Sequence, residues 1–238
     1  MSDIVFGKNS FFEALDAGRI LMAYVLNDAN IKDKGIPYKV VDRKTLDGMC
    51  KGNHQGYVAK VKEFKLSKVE DMLKEKDGLI IILDGLEDVH NLGAIIRTCE
   101  CAGADGVIYK SHNSVKVNET VAKVACGALE YMKVAEVTNL VNTIKELKKK
   151  GYWIVGSDGS GQVLYNEIDY DMNTVLVIGS EGKGMSRLVK EECDYVVRLP
   201  MYGKVTSLNA SVAAGILIYN VLSFRQSFPQ LWKKMRKK

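Results

Sequence analysis

From Gly78 onward, short apolar runs alternate with helix-length segments, and this pattern constrains the fold more than any other feature of the chain. Strand candidates are Leu79–Leu83, Gly106–Tyr109, Lys133–Val137, Tyr152–Val155, Thr174–Ile178 and Tyr195–Leu199. Helical stretches fall between them at Leu92–Ala102, Glu119–Leu129, Leu140–Lys150, Ser186–Glu192 and Leu208–Phe224. Such alternation predicts an α/β fold, a parallel sheet covered by helices on both faces. In sheets of that kind ligands sit at the carboxyl ends of the strands, so the loops there are where chemistry is to be sought.

The chain before Gly78 has a different texture. Residues 1–66 read as a small α+β unit, with a short helix around Phe11–Leu15 and another at Thr45–Cys50. Strands are expected at Ile20–Leu26, Tyr38–Val41 and Tyr57–Val61. Residues 67–77 read as a linker, in which Ser67 and Glu70 resemble a capping box for a helix over Lys68–Lys76. Residues 78–238 form the larger domain.

Composition excludes several classes. With 47% hydrophobic and 26% charged residues the chain is not a disordered protein. No apolar run approaches the ~20 residues of a membrane span. The start, Met-Ser-Asp-Ile-Val-Phe-Gly-Lys, has no basic segment followed by an apolar core, so no secretory signal is expected and a cytoplasmic protein is. Five scattered cysteines, without C-x-x-C, and three isolated histidines offer no metal-ligand spacing, so no metal is expected. The net charge of +5 is compatible with a polyanionic partner. The basic end Lys233-Lys234-Met235-Arg236-Lys237-Lys238 could contact phosphates or simply be solvated.

Three strand-end loops carry the functional signal. The first, Asp84 to Thr98, lacks the G-x-G-x-x-G of a dinucleotide site, which disfavours a nicotinamide enzyme. It holds Asn91 near a helix start and Arg97 six residues on. The second, Gly179-Ser180-Glu181-Gly182-Lys183-Gly184-Met185-Ser186, is a glycine-rich turn that lets backbone N–H groups approach a ligand. It fails the P-loop pattern because Gly184 follows Lys183, and Glu181 would repel a triphosphate. The third, Leu199 to Ser211, crosses Pro200 and Gly203 and enters an apolar helix, with Ser207 placed as N-cap and Asn209 at the second helical position. A fourth turn, Gly156-Ser157-Asp158-Gly159-Ser160-Gly161, is less specific.

Taken in order, these loops resemble the TrmH/SpoU family of RNA ribose 2′-O-methyltransferases, of the SPOUT superfamily. The resemblance rests on Asn91-Leu92-Gly93 with Arg97-Thr98, on Gly179-Ser180-Glu181-Gly182-Lys183-Gly184, and on Pro200-Met201 through Ser207-Leu208-Asn209. Gly7-Lys8-Asn9-Ser10 with Glu13-Ala14-Leu15, and Asn53-His54-Gln55-Gly56, are similar to the family's ribosomal-protein-L30-like RNA-binding domain. Val89 stands where the family often has Pro, Cys99 where Ala is usual, and the chain passes from Asn30 to Gly35-Ile36-Pro37 where the family usually has a helix.

The resemblance implies methyl transfer from S-adenosylmethionine to a ribose 2′-hydroxyl, an α/β knot with a deep C-terminal trefoil, and a homodimer. It implies Gly179, Leu199 and Leu208 as cofactor contacts, and Arg97, Asn91, Glu181, Ser207 and Asn209 as the catalytic neighbourhood. The L30-like half points to RNA, and to a guanosine of 23S rRNA, as substrate. Two alternatives stay open: a tRNA methyltransferase of the same fold, and a non-catalytic RNA-binding or ribosome-assembly protein.

Overall fold

The computed structural model describes residues 3–112 and 114–235, without the side chains of Asp3 and of residues 227–235. The basic side chains of the tail 233–238 thus lie outside what is described. In chain order the elements are β1 (Asp3–Phe6), α1 (Lys8–Asp16), β2 (Ile20–Val25), β3 (Tyr38–Val40), α2 (Arg43–Met49), β4 (Tyr57–Val61), β5 (Leu79–Asp84), α3 (Val89–Cys101) and β6 (Gly106–Lys110). There follow α4 (Glu119–Val124), β7 (Val134–Val137), α5 (Leu140–Lys149), β8 (Trp153–Ser157), β9 (Val163–Leu164), β10 (Thr174–Gly179), α6 (Arg187–Glu191), β11 (Tyr195–Arg198) and α7 (Ala210–Met235). The chain divides into two compact units, 1–65 with 117–131, and 66–116 with 132–238.

The first unit carries a four-stranded sheet in the order β1-β4-β2-β3, antiparallel except for the β2–β3 pair. Its core gathers Phe11 and Ala14 of α1 with Ala23, Val25, Ala59 and Val61. Where the family usually has a helix, a tight turn suffices: the backbone N–H groups of Ile31 and Lys32 both donate to the Asp28 carbonyl. That turn drops Ile31, 1% exposed, into the core. Helix α2 is capped by Asp42, whose side chain accepts from Thr45 N at 2.8 Å. The Thr45 bonds hold the Asp42 carboxyl below its usual range.

Residues 117–131, inside the stretch that the sequence reading gives to the larger domain, pack with this first unit. Arg19 pairs with Glu130, and the Tyr131 hydroxyl donates to Glu13 at 2.6 Å. The expected helix Glu119–Leu129 stops at Val124, because Cys126 takes a left-handed φ of 51° and a short 3-10 turn, Ala128–Glu130, follows.

The second unit is a seven-stranded sheet, β7-β6-β5-β10-β8-β11-β9, parallel throughout. The six expected strands are present, and β9 adds a seventh of two residues. Central β5 and β10 are buried almost end to end. The chain lays β5, β6 and β7 outward in one direction and then returns β10 between β5 and β8. Strand order therefore reverses at β5/β10, which makes the carboxyl ends of those strands the natural binding crevice.

Residues 67–77 are part of this unit rather than a free connection. Met72 is fully buried, and Ser67 N donates to the Val134 carbonyl at 2.8 Å. Burying such a side chain contributes about 1.5–3 kcal/mol. The expected helix over Lys68–Lys76 is only a 3-10 turn, Val69–Met72, capped from Asp71 rather than Glu70. Tertiary bonds, such as Lys74 N to the Tyr152 hydroxyl, take the backbone groups that a longer helix would use. The cysteines form no disulfide, and Cys50 and Cys99 are buried. Among the described residues no helix is long and apolar enough to cross a membrane.

Candidate active site

The buried apolar strand β5 ends on a carboxylate. Asp84 is only 7% exposed, and its Oδ2 accepts from Ser186 N at 2.6 Å. That bond ties the loop after β10 to the end of its neighbour, where the register sets Gly179 beside Asp84. The loop also closes on itself, through Ser180 N to Gly184 O at 3.1 Å and Gly184 N to Ser180 O at 3.0 Å. A Cβ on Gly179 would stand 2.2 Å from the Gly184 carbonyl carbon, so only glycine fits there. The turn presents Glu181 to the starts of α3 and α7.

Helix α3 is capped by Asp88, which accepts from His90 N at 2.8 Å. Asn91 is therefore not needed as a cap. It is 4% exposed, and its Nδ2 donates to Glu181 Oε1 at 2.9 Å. Asn209 Nδ2 donates to Asn91 Oδ1 at 2.9 Å and to Glu181 Oε1 at 2.7 Å, and Ala210 N reaches the same carboxylate oxygen at 3.1 Å. One Glu181 oxygen thus collects three donors from two helices.

The cap of α7 corrects an expectation. Asn209, not Ser207, holds that position: its Oδ1 accepts from Ser211 N at 2.9 Å and Val212 N at 3.3 Å. Asn209 thus uses its oxygen for the helix and its amide for the site. A residue that looked out of place at the second helical position is instead the one that fixes where the helix begins. Ser207 stands in the exposed loop before it.

Two cavities meet at the β10 loop. The larger, about 750 Å³, is lined from the loops after β8, β10 and β11, and includes Gly179, Leu199 and Leu208 with Glu181 and Ser207. The smaller, about 200 Å³, is lined by Gly85–Asp88, Asn91, Ser180, Glu181 and Lys183. Ser180, Glu181 and Lys183 belong to both. Arg97 lines neither and is exposed on α3. Six residues turn it about 120° around the helix from Asn91. Thr98, one residue on, faces α7 and lies against Gly215.

Two residues of this site were passed over in the sequence. Asp158 lines the larger cavity, with Oδ1 accepting from Ser160 N, Ser160 Oγ and Lys190 Nζ at 2.9, 2.6 and 3.0 Å. Burial alone would raise its pKa, but those hydrogen bonds and the lysine charge outweigh it and leave the carboxyl below its usual range. Asp84 carried a legible signal, a single carboxylate closing an otherwise apolar strand. Asp158 carried none beyond its place in a glycine-rich turn. Among the described residues, no three His, Cys, Asp or Glu gather where they could hold a metal ion.

Residues 78–219 match the model of the SpoU rRNA Methylase family. The chain belongs to that family. Residues 4–67 match the model described as RNA 2′-O ribose methyltransferase substrate binding. A Bacillus subtilis chain assigned to the TrmH family of tRNA/rRNA methyltransferases is 44% identical over 92% of this chain and 94% of its own. An AdoMet-bound rRNA methyltransferase from Sinorhizobium meliloti superposes with a TM-score of 0.82 at 25% identity, over 92% of this chain and 86% of that one. A TrmH/SpoU tRNA modifying enzyme from A. aeolicus is 34% identical with a TM-score of 0.59, over 67% of this chain and 81% of that one. The fold is that of the SPOUT methyltransferases with an N-terminal substrate-binding domain, and the protein is an RNA methyltransferase of the SpoU family.

Proposed function

We propose that this member transfers a methyl group from S-adenosylmethionine to the ribose 2′-hydroxyl of a guanosine in 23S rRNA, in the cytoplasm, as a homodimer. The observation that carries the reading is the shared wall of the two cavities. A glycine-built pocket of ligand size meets, at Ser180, Glu181 and Lys183, a second pocket that holds the Asn91 amide. Its volume lies within the ~300–1,000 Å³ of small-molecule sites. Gly179 with Leu199, Leu208 and Ala213 offers backbone polar groups beside apolar surface, which fits a nucleoside with a short amino-acid arm. Bound there, S-adenosylmethionine supplies a methyl group already activated by its sulfonium.

The chain's own residues align and stabilise. The donors on Glu181 Oε1 fix that carboxylate before substrate arrives, and Asn91 and Asn209 are fixed with it. Arg97, exposed on α3 outside the lining of both cavities, is assigned the electrostatic stabilisation of the forming alkoxide. Its guanidinium presents donors only, so electrostatic stabilisation is the role its chemistry suits.

Several observations support the finer parts. The rRNA methyltransferase covers 92% of this chain, against 67% for the tRNA enzyme. Residues 1–66 then act as the RNA-reading domain and 78–238 as the catalytic domain, with 67–77 a connection packed into the second unit and 117–131 packed with the first. A C-terminal trefoil knot, which the family resemblance implies, is compatible with the return of β10 between β5 and β8. Val212, Ile216 and Tyr219 leave an apolar face of α7 exposed, at 50%, 38% and 49%, which a second subunit would cover.

The test is single-turnover methylation of 23S rRNA by Arg97→Ala and Arg97→Lys, with ribose methylation mapped in a deletion strain. Both variants should keep cofactor affinity and lose activity by a factor on the order of 10²–10³. A near-normal Arg97→Ala rate removes Arg97 from the site, and loss of a methyl mark in tRNA alone replaces the substrate.

A further inference from the structure

The sequence motif of the β10 loop contains one charged residue that the reaction above does not use. Lys183 sits between Gly182 and Gly184, in the turn closed by the two Ser180–Gly184 hydrogen bonds. It is exposed, and it lines both cavities. The smaller cavity is otherwise acidic, with Glu87, Asp88 and Glu181 in its wall. Among the described residues that line it, Lys183 is the only cation.

That arrangement poses an electrostatic problem for a nucleic-acid substrate. A nucleotide cannot bring its ribose to Glu181 and Asn91 without bringing a phosphate to the same rim. Three carboxylates at that rim repel the phosphate, and Arg97 stands on another face of α3. A lysine ammonium is a compact point charge on a flexible stem, suited to meeting one phosphate oxygen from a fixed turn. The closed turn holds the Lys183 backbone at the junction of the two cavities, from which its side chain lines both.

We propose that Lys183 binds the RNA phosphate flanking the target ribose, and so positions the 2′-hydroxyl at the wall between the two cavities. The inference rests on the 2′-O-methyltransferase reading above and adds a substrate-binding residue to it. The rival role is a contact to the carboxylate of the methyl donor in the larger cavity. Lys183 lines that cavity too; the phosphate role is favoured because Lys183 is the one cation among the described residues of the acidic smaller cavity, and cofactor binding by the variants separates the two roles.

The experiment uses the full-length protein and its Lys183→Gln and Lys183→Arg variants. Filter binding to unmodified, transcribed 23S rRNA is measured over a salt series, and S-adenosylmethionine binding by calorimetry. Lys183→Gln should weaken RNA binding roughly five- to tenfold at moderate salt, and make the slope of log affinity against log salt shallower by about 0.7–0.9. Lys183→Arg should restore the slope, and both variants should bind the cofactor like the parent. A slope unchanged in Lys183→Gln overturns the proposal, as does a loss of cofactor affinity in its place. If the parent protein binds the cofactor but not the rRNA, the substrate reading falls and the proposal with it. If the parent binds both and only the slope fails to change, the reading stands and the role of Lys183 alone is rejected.

Discussion

The loops after β10 and β11 both line the larger cavity, but they are held on different terms. The first is bound into the chain: Ser180 to Gly184, Ser186 to Asp84, and Glu181 to Asn91, Asn209 and Ala210. The second stands in solvent, with every residue from 201 to 208 exposed, Tyr202 at 95% and Val205 at 74%. Ser180, Glu181 and Ser186 of the first loop have partners before any ligand arrives, so that loop is ordered for alignment in advance. Apolar side chains in the second have surface still to bury, and burying it on a cofactor or a second subunit would favour binding. On the proposed function, one loop supplies geometry and the other supplies affinity.

Breaking the bound loop should have the largest effect. Gly179→Ala places a Cβ 2.2 Å from backbone that cannot yield, so the loop must open. Calorimetry should show cofactor binding abolished, with a stability loss of about 3 kcal/mol in denaturant titration. Retained cofactor affinity would mean that the loop is softer than its hydrogen bonds imply.

The next effect separates cap from site at Asn209. Asn209→Ala removes both roles and should cost about 1 kcal/mol of stability along with most methylation activity. Asn209→Asp keeps an N-cap acceptor but sets a second carboxylate against Glu181. Its melting temperature should stay close to that of the parent while single-turnover methylation collapses. If the two variants lose activity and stability in parallel, Asn209 acts only as a helix cap.

The smallest change in stability belongs to the exposed loop. Tyr202→Ser with Val205→Ser should move unfolding by less than about 0.5 kcal/mol, as expected for side chains in solvent. The same pair should weaken cofactor binding or dimerisation, read by calorimetry and by sedimentation. A stability loss as large as that of Gly179→Ala would erase the contrast between the loops.

Local pattern made much of this protein legible. Apolar runs of strand length placed all six major strands of the second unit, because buried parallel strands need continuous hydrophobic residues. Glycines at strand ends marked the β10 loop, because close backbone approach excludes a Cβ. The family resemblance put Asn91, Glu181 and Asn209 in one pattern, and the structure brings these three within hydrogen-bonding distance.

What tertiary structure decided was direction and partnership. Asn209 is the cap of α7 because the helix starts where Glu181 and Asn91 can hold its amide, a pairing across long chain separations that propensity does not see. Arg97 shares a motif with Asn91 yet turns to another face of α3, since six residues do not complete two turns. Residues 67–77 lose their expected helix because Met72 gains more from burial in the second unit than a short helix gains from its own hydrogen bonds. The sequence determined which residues favour strand, turn and cap; the packed chain decided which of them meet, because contact depends on side-chain direction and on partners distant in sequence.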